Sequence, residues 1–244
     1  MKLNTNSNTY TILYAAVMVI VVAFLLAFVA SSLKETQDAN VLRDTKNQIL
    51  TSLNITGLTD AEVDTRYAET ITDTLTVQTT VQGAAKEGRV YVASVDGATK
   101  YVIPMTGRGL WGGLWGYMSL NEDKKTVYGA YFSHESETAG LGARIKERGF
   151  QEMFNGRPVF DEAGEIALTV VKAGKASAQT EVDGITGATL TSNGVAEMVN
   201  GGLKAYATFL QEGSDASCCA YPTCSQDGDG EADCCQTDSS EVTE

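Results

Sequence analysis

From Tyr10 to Ala30 the chain carries no charge and consists mostly of Val, Ala, Leu, Ile and Phe. As a helix this stretch would extend roughly 31 Å, the thickness of a bilayer hydrocarbon core. Tyr10 and Tyr14 suit one membrane interface and Lys34 the other. A cleaved signal peptide is the competing reading. It would have a shorter apolar core, a more basic start than the lone Lys2, and a small-residue cleavage site, so an uncleaved anchor is expected.

Beyond the span the pattern changes. Leu33 to Leu53 is polar with apolar returns at Val41, Leu42, Ile49, Leu50 and Leu53, which predicts a helix leading into a domain. Thr59-Asp60-Ala61-Glu62 is a capping box, with Val63, Tyr67 and Ile71 following on one face. Thr74 to Gln82 alternates and is β-branched, a strand signal. Arg89 to Val95 and Lys100 to Pro104 flank Asp96-Gly97, a hairpin signal. Thr126 to Ser133 and Ile166 to Lys172 read as strands, and Gly142 to Phe154 as a helix. Val195, Met198, Val199, Leu203, Tyr206 and Leu210 recur at helical spacing, with Thr191, Ser192 and Asn193 as N-cap types just before them. The expected class is α+β, a mainly antiparallel sheet with flanking helices behind one N-terminal transmembrane helix. The expected division is an anchor over 1–33, a folded domain over 34–212 and a flexible tail over 213–244.

The formal net charge of −13 is unevenly placed. No Lys or Arg follows Lys204, while nine acidic residues lie between Glu212 and Glu244. Nothing offers a basic stripe for phosphates, so nucleic acid is not an expected partner. All five cysteines lie in this tail, Cys218, Cys219, Cys224, Cys234 and Cys235. Their spacing fits no standard metal signature, so disulfides or free thiols are expected there and no metal site.

Candidate chemistry gathers in three segments. Gly107 to Gly116 is glycine-rich, and Trp111 and Trp115 are suited either to an aromatic cofactor or to plugging the core. Phe132 to Gly142 runs from a strand into a helix. There Glu137 and Thr138 offer an acceptor and a hydroxyl, and Gly140 and Gly142 permit a close turn. His134 is the only histidine, without an evident nucleophile beside it, and is given no acid–base role. The third segment is Asp183-Gly184-Ile185-Thr186-Gly187-Ala188-Thr189. It resembles the acceptor motif on which flavin transferases hang FMN through a phosphoester to the last threonine. Gly187 and Ala188 leave the Thr189 hydroxyl open, and Asp183 is a nearby carboxylate able to orient a metal or take up the proton. A phosphoester on Thr189 would sit near the N-terminus of the following helix, which favours an anion. A Gly/Ser/Thr loop entering a capped helix, with no cofactor, would show the same residues.

The order of the three segments resembles the FMN-binding domain family. More narrowly, it resembles the family of C subunits of sodium-translocating NADH:quinone reductases. Asn8-Thr9-Tyr10-Thr11-Ile12, the single span, Leu33 to Asn40 and Lys46 to Leu50 agree with it. The resemblance covers about residues 1–210 and not the cysteine tail. Ala139 stands where the family usually has proline, and Thr186 where serine is common.

The resemblance implies covalent FMN on Thr189, with Asp183, Thr186, Gly187, Ala188, Glu137, Thr138, Gly140, Leu141 and Trp111 around it. It implies an electron carrier between redox centres of a sodium-pumping complex, inactive alone. The implied partners are the other subunits and, during maturation, a flavin transferase. The related G subunit of a ferredoxin:NAD ion-pumping complex shares the span, the glutamate–threonine loop and the flavin motif. A flavin-free membrane-tethered binding protein is the non-redox alternative. Counting Lys2 against Lys34, Arg43 and Lys46 leans weakly to a cytoplasmic domain, whereas the resemblance implies an extracytoplasmic one on a bacterial inner membrane. The resemblance is followed, since long domains translocate regardless of charge.

Overall fold

The computed structural model describes residues 8–81 and 84–211. The cysteine tail lies outside the described residues. The chain opens with one unbroken helix, α1 (Asn8–Ser52), whose apolar portion is long enough to cross a membrane. Its large side chains stand free, Phe24 at 71% exposure among them. So much bare apolar surface calls for a partner other than water. Only the last turns dock on the domain, where Ile49, Leu50 and Leu53 are buried.

Helix α2 (Asp60–Thr70) starts at the expected capping box. The Glu62 carboxylate accepts from the Thr59 backbone N–H at 2.8 Å and its hydroxyl at 2.7 Å. Lys46 reaches Asp64 at 2.6 Å and ties the end of α1 to α2.

Five strands follow as an antiparallel meander in chain order: β1 (Ile71–Val81), β2 (Ala84–Val95), β3 (Ala98–Arg108), β4 (Gly113–Leu120) and β5 (Val127–His134). The β2–β3 hairpin turns at Asp96-Gly97, where φ is +52° and +78°. Both central residues being left-handed is the turn that asparagine or aspartate with glycine supplies. Alternation sorts the sheet into two faces. Val102 joins Ile49, Leu53 and Ala93 under α1, whereas Ile103 joins the larger core with Met105, Met118 and Phe132.

Helix α4 (Thr189–Ala205) covers that larger core through Val195, Met198, Val199 and Leu203, lying against β3. A short parallel pair, β6 (Thr169–Val171) and β7 (Glu181–Asp183), flanks it. Between β5 and β6 lies α3 (Arg148–Gln151), and α5 (Ala207–Gln211) closes the described chain. The architecture is the expected α+β, a mainly antiparallel sheet with flanking helices behind an N-terminal apolar helix.

One expectation is corrected. The helix predicted from Gly142 to Phe154 is three short pieces: a 3-10 turn over Gly142–Lys146, then α3, then a 3-10 turn over Glu152–Phe154. Glu147 is extended at the first break. There the Gln151 side-chain amide donates to the carbonyls of Ile145 and Lys146, which a continuous helix would satisfy itself, and to that of Phe132 in β5. The glycine-rich segment from Gly107 is divided between two strands and a turn. Gly107 and Arg108 end β3, Gly113 to Gly116 begin β4, and only residues 109–112 turn.

Close approach of α4 to β3 sets the site. A Cβ on Gly107 would stand 2.6 Å from Cβ of Met198, and one on Gly194 would strike the Arg108 carbonyl oxygen. With hydrogen at both positions the helix lies close on the strand. That brings its N-terminus beside the β3–β4 turn and the segment leaving β5.

Candidate functional site

Where these three segments meet is a cleft of about 200 Å³, lined by Leu110, Glu137, Thr138, Leu141, Gly142 and the run from Gly187 to Thr191. Thr189 is exposed and is the first residue of α4. The helix ladder begins with the Ser192 N–H on the Ala188 carbonyl at 2.9 Å. The amides of the first turn, Thr189 to Thr191, therefore precede the ladder and face the N-terminal end, where an anion is favoured. Gly187, at φ +84°, turns the chain into the helix in a conformation that side chains other than glycine resist.

The expected N-cap is corrected here. Thr191, Ser192 and Asn193 lie inside α4, and the N-cap position is Ala188. Two of the three instead fasten the helix to its surroundings. The Ser192 hydroxyl oxygen accepts from the Ile185 N–H at 3.0 Å, and the Thr191 hydroxyl donates to Oε2 of Glu137 at 2.6 Å.

Glu137 is the centre of the site. It is 7% exposed. Its Oε1 accepts the Trp111 N–H at 2.9 Å from the β3–β4 turn. Its own N–H donates to Nδ1 of His134 at 3.2 Å. Burial by itself pushes this carboxyl up, but the bonds from Thr191 and from the backbones of Trp111 and Leu110, with a smaller contribution from His134, outweigh it and hold the group below the usual glutamate value. Glu137 thus clasps the β3–β4 turn, the β5 exit and the first turn of α4. Gly142 leaves room for the clasp, since a Cβ there would lie 2.5 Å from both Oε2 of Glu137 and Oγ1 of Thr191. His134 is half-buried; burial and the nearby Lys146 depress its pKa, against the pull of Glu137.

Of the residues singled out in the sequence, Glu137, Thr138, Leu141, Gly187, Ala188 and Thr189 share this cleft. Gly140 sits beside it at φ +76° in the turn closed by the Leu141 N–H on the Thr138 carbonyl at 3.1 Å. Trp111 follows Leu110 in the neighbouring turn, with its side chain 68% exposed. Asp183 and Thr186 are not brought into the cleft. The Asp183 carboxylate accepts the backbone N–H groups of Lys175 and Ala176 at 2.9 and 3.0 Å and holds that turn. Thr186 lines a separate hollow with Arg144, Glu147 and Phe150. Trp115 does not join Trp111: its indole N–H donates to Gln48 at 3.1 Å and fixes the end of α1.

Sequence reading overlooked Leu110 and Leu190 as lining residues. Their signal was apolar character in a polar loop and at a helix start. Leu110, Trp111, Leu141 and Leu190 are the large hydrophobic side chains left exposed among the described residues beyond α1. Three of them line the one cleft and the fourth is next in the chain.

The FMN-binding domain family matches residues 109–204, the stretch that holds the cleft. The C subunit of the Na(+)-translocating NADH-quinone reductase of Haemophilus ducreyi is 40% identical over 113 residues, 46% of this chain and 44% of that protein's length. The corresponding C subunit of Pseudomonas aeruginosa is 28% identical over 239 residues, covering 81% of this chain and 92% of that protein. Among solved structures, the C subunit from Parabacteroides distasonis is 41% identical with a TM-score of 0.67, covering 73% of this chain and 96% of that one. NqrC of Shewanella oneidensis, 22% identical, shares the fold at a TM-score of 0.62. The solved relative at 41% identity, matched over nearly its whole length, places the chain in the family of C subunits of the Na(+)-translocating NADH-quinone reductase.

Proposed function

We propose that this protein carries FMN bound covalently, through its phosphate, to Thr189, and serves as an electron carrier in a sodium-pumping NADH:quinone oxidoreductase. The observation that supports this most is the coincidence at one cleft of two features. One is an exposed threonine, the first residue of a 17-residue helix. The other is the cluster of exposed large hydrophobics, Leu110, Trp111, Leu141 and Leu190.

The donor set fits the group. A phosphate on Thr189 meets the amides of the α4 N-terminus. At about 200 Å³ the cleft takes only part of such a ligand, below the usual 300–1,000 Å³ of a full small-molecule pocket. Leu141, Trp111 and their exposed neighbours would cover the apolar ring, and Thr138 and backbone groups would bond its polar edge. The flavin, once bound, supplies the one- and two-electron chemistry; the protein fixes its position and its surroundings.

In this reading a flavin transferase forms the bond during maturation. The carrier then relays electrons between redox centres of the complex, on the path from NADH to quinone. Residues 1–33 anchor it by a single pass in the bacterial inner membrane. Residues 34–212 form the flavin domain on the extracytoplasmic side, and residues 213–244 are an accessory tail. The protein works only with the other subunits. Fluorescence of the denatured gel band, followed by peptide mass spectrometry, tests the reading. An FMN adduct on the Thr189 peptide is expected, and a band without flavin would contradict it.

A further inference from the structure

We propose that Glu137 is an electrostatic tuning residue: its buried carboxylate, in the wall of the cleft that takes the flavin, holds the flavin's reduction potential below the value a neutral side chain would give there. The proposal rests on attachment of the flavin at Thr189.

Three observations carry it. Glu137 and Thr189 line the same small cleft, so the part of a flavin bonded to Thr189 that seats there lies beside the carboxylate. Glu137 is 7% exposed, so water screens its field less than it would on an open surface. Its oxygens receive the Thr191 hydroxyl at 2.6 Å and the Trp111 N–H at 2.9 Å, both as donors, which suits the anion. These partners are dipoles that hold the charge in place without cancelling it. The ion pairs found among the described residues join other side chains, and none includes Glu137. The neighbouring His134 uses Nδ1 as an acceptor for the Glu137 N–H, as a neutral imidazole does.

The cleft therefore holds a fixed negative charge with no cationic side chain bonded to it. Adding an electron to a flavin in this cleft works against that charge, so the oxidised form is favoured and the potential is lowered. The residue would thereby set how strongly the carrier donates to the next centre. This is a second task for a side chain whose hydrogen bonds also assemble the cleft.

The two tasks separate by experiment. The full-length protein is co-expressed with a flavin transferase and purified from membranes, and its midpoint potential is read by spectroelectrochemical titration. In-gel fluorescence confirms the adduct in each variant. Glu137→Gln keeps the shape and removes the charge, and is expected to shift the midpoint to a more positive value. Thr191→Val loosens the clasp and keeps the charge, and is expected to give no such positive shift. An unchanged or more negative midpoint in Glu137→Gln overturns the proposal, as does an equal positive shift in Thr191→Val. If Glu137→Gln arrives without flavin, Leu110→Lys decides. It sets a cation in the wall beside Glu137 with the clasp intact, and a midpoint that does not move positive overturns the tuning role. Wild-type protein without an adduct would instead remove the attachment on which the proposal rests.

Discussion

Glu137 is held ionised by the fold, and the sign of its pH dependence follows. Its folded pKa lies below the ordinary value of about 4.5. The stabilisation it gives is complete above that value and is lost as pH falls through the lower, folded one. Replacing it by glutamine should cost about 1–3 kcal/mol at neutral pH, because the carboxylate's bonds weaken in a buried site. The difference between wild type and variant should shrink as pH falls below about 4.5. Urea unfolding at neutral and acidic pH checks this; an equal difference at both would contradict it. Gly142→Ala should act on the same contact without touching charge, since its methyl would press on both partners of the Glu137–Thr191 bond. Loss of flavin occupancy in that variant is the expected outcome, read by the ratio of flavin to protein absorbance. Thr189 was legible in the sequence because a local motif carries it. The clasp was not, because Glu137 and Thr191 are 54 positions apart and only the packed fold brings them together.

Two glycines of α4, one at the helix–strand contact and one away from it, give opposite predictions. Gly194→Ala drives a methyl into the Arg108 carbonyl, so the helix must lift from β3. A loss of about 1–3 kcal/mol is expected for such overpacking, or a fall in Tm of about 2–10 °C. Gly201→Ala meets nothing within 4 Å, and alanine is the better helix former. It should raise stability by up to about 1 kcal/mol. Thermal unfolding of the two variants decides, and the same sign for both would contradict the packing described. Elements with a clean local signal were legible: the capping box at Thr59, the Asp96-Gly97 turn, and the apolar face of α4. Strand β4 was hidden because Gly113 and Gly116 replace the side chains that would have shown alternation. Gly116 is needed where a Cβ would lie 2.7 Å from the Phe132 ring. The start of α4 was misread for a related reason. Cap-type residues at 191 and 192 use their hydroxyls for tertiary bonds rather than for the helix end.

At the scale of the whole molecule, one helix joins the apolar span to the domain without a break, and its last turns are pinned by buried Ile49, Leu50 and Leu53 and by the Gln48–Trp115 bond. The cleft lies on the rest of the domain, within residues 110–191. Truncation after Gly213 should therefore leave flavin attachment and electron transfer intact, as measured by flavin content and by NADH-driven quinone reduction in the assembled complex. A loss of flavin on truncation would give the tail a part in the site. The central claim is that Thr189 carries the flavin of a membrane-bound electron carrier. It is tested most directly by peptide mass spectrometry of the protein purified from membranes with its co-purifying subunits, for wild type and Thr189→Val. An FMN adduct on the wild-type Thr189 peptide, absent from Thr189→Val, is the predicted result. An adduct mapped to Thr186 or Thr191, or one that persists in Thr189→Val, would contradict the account.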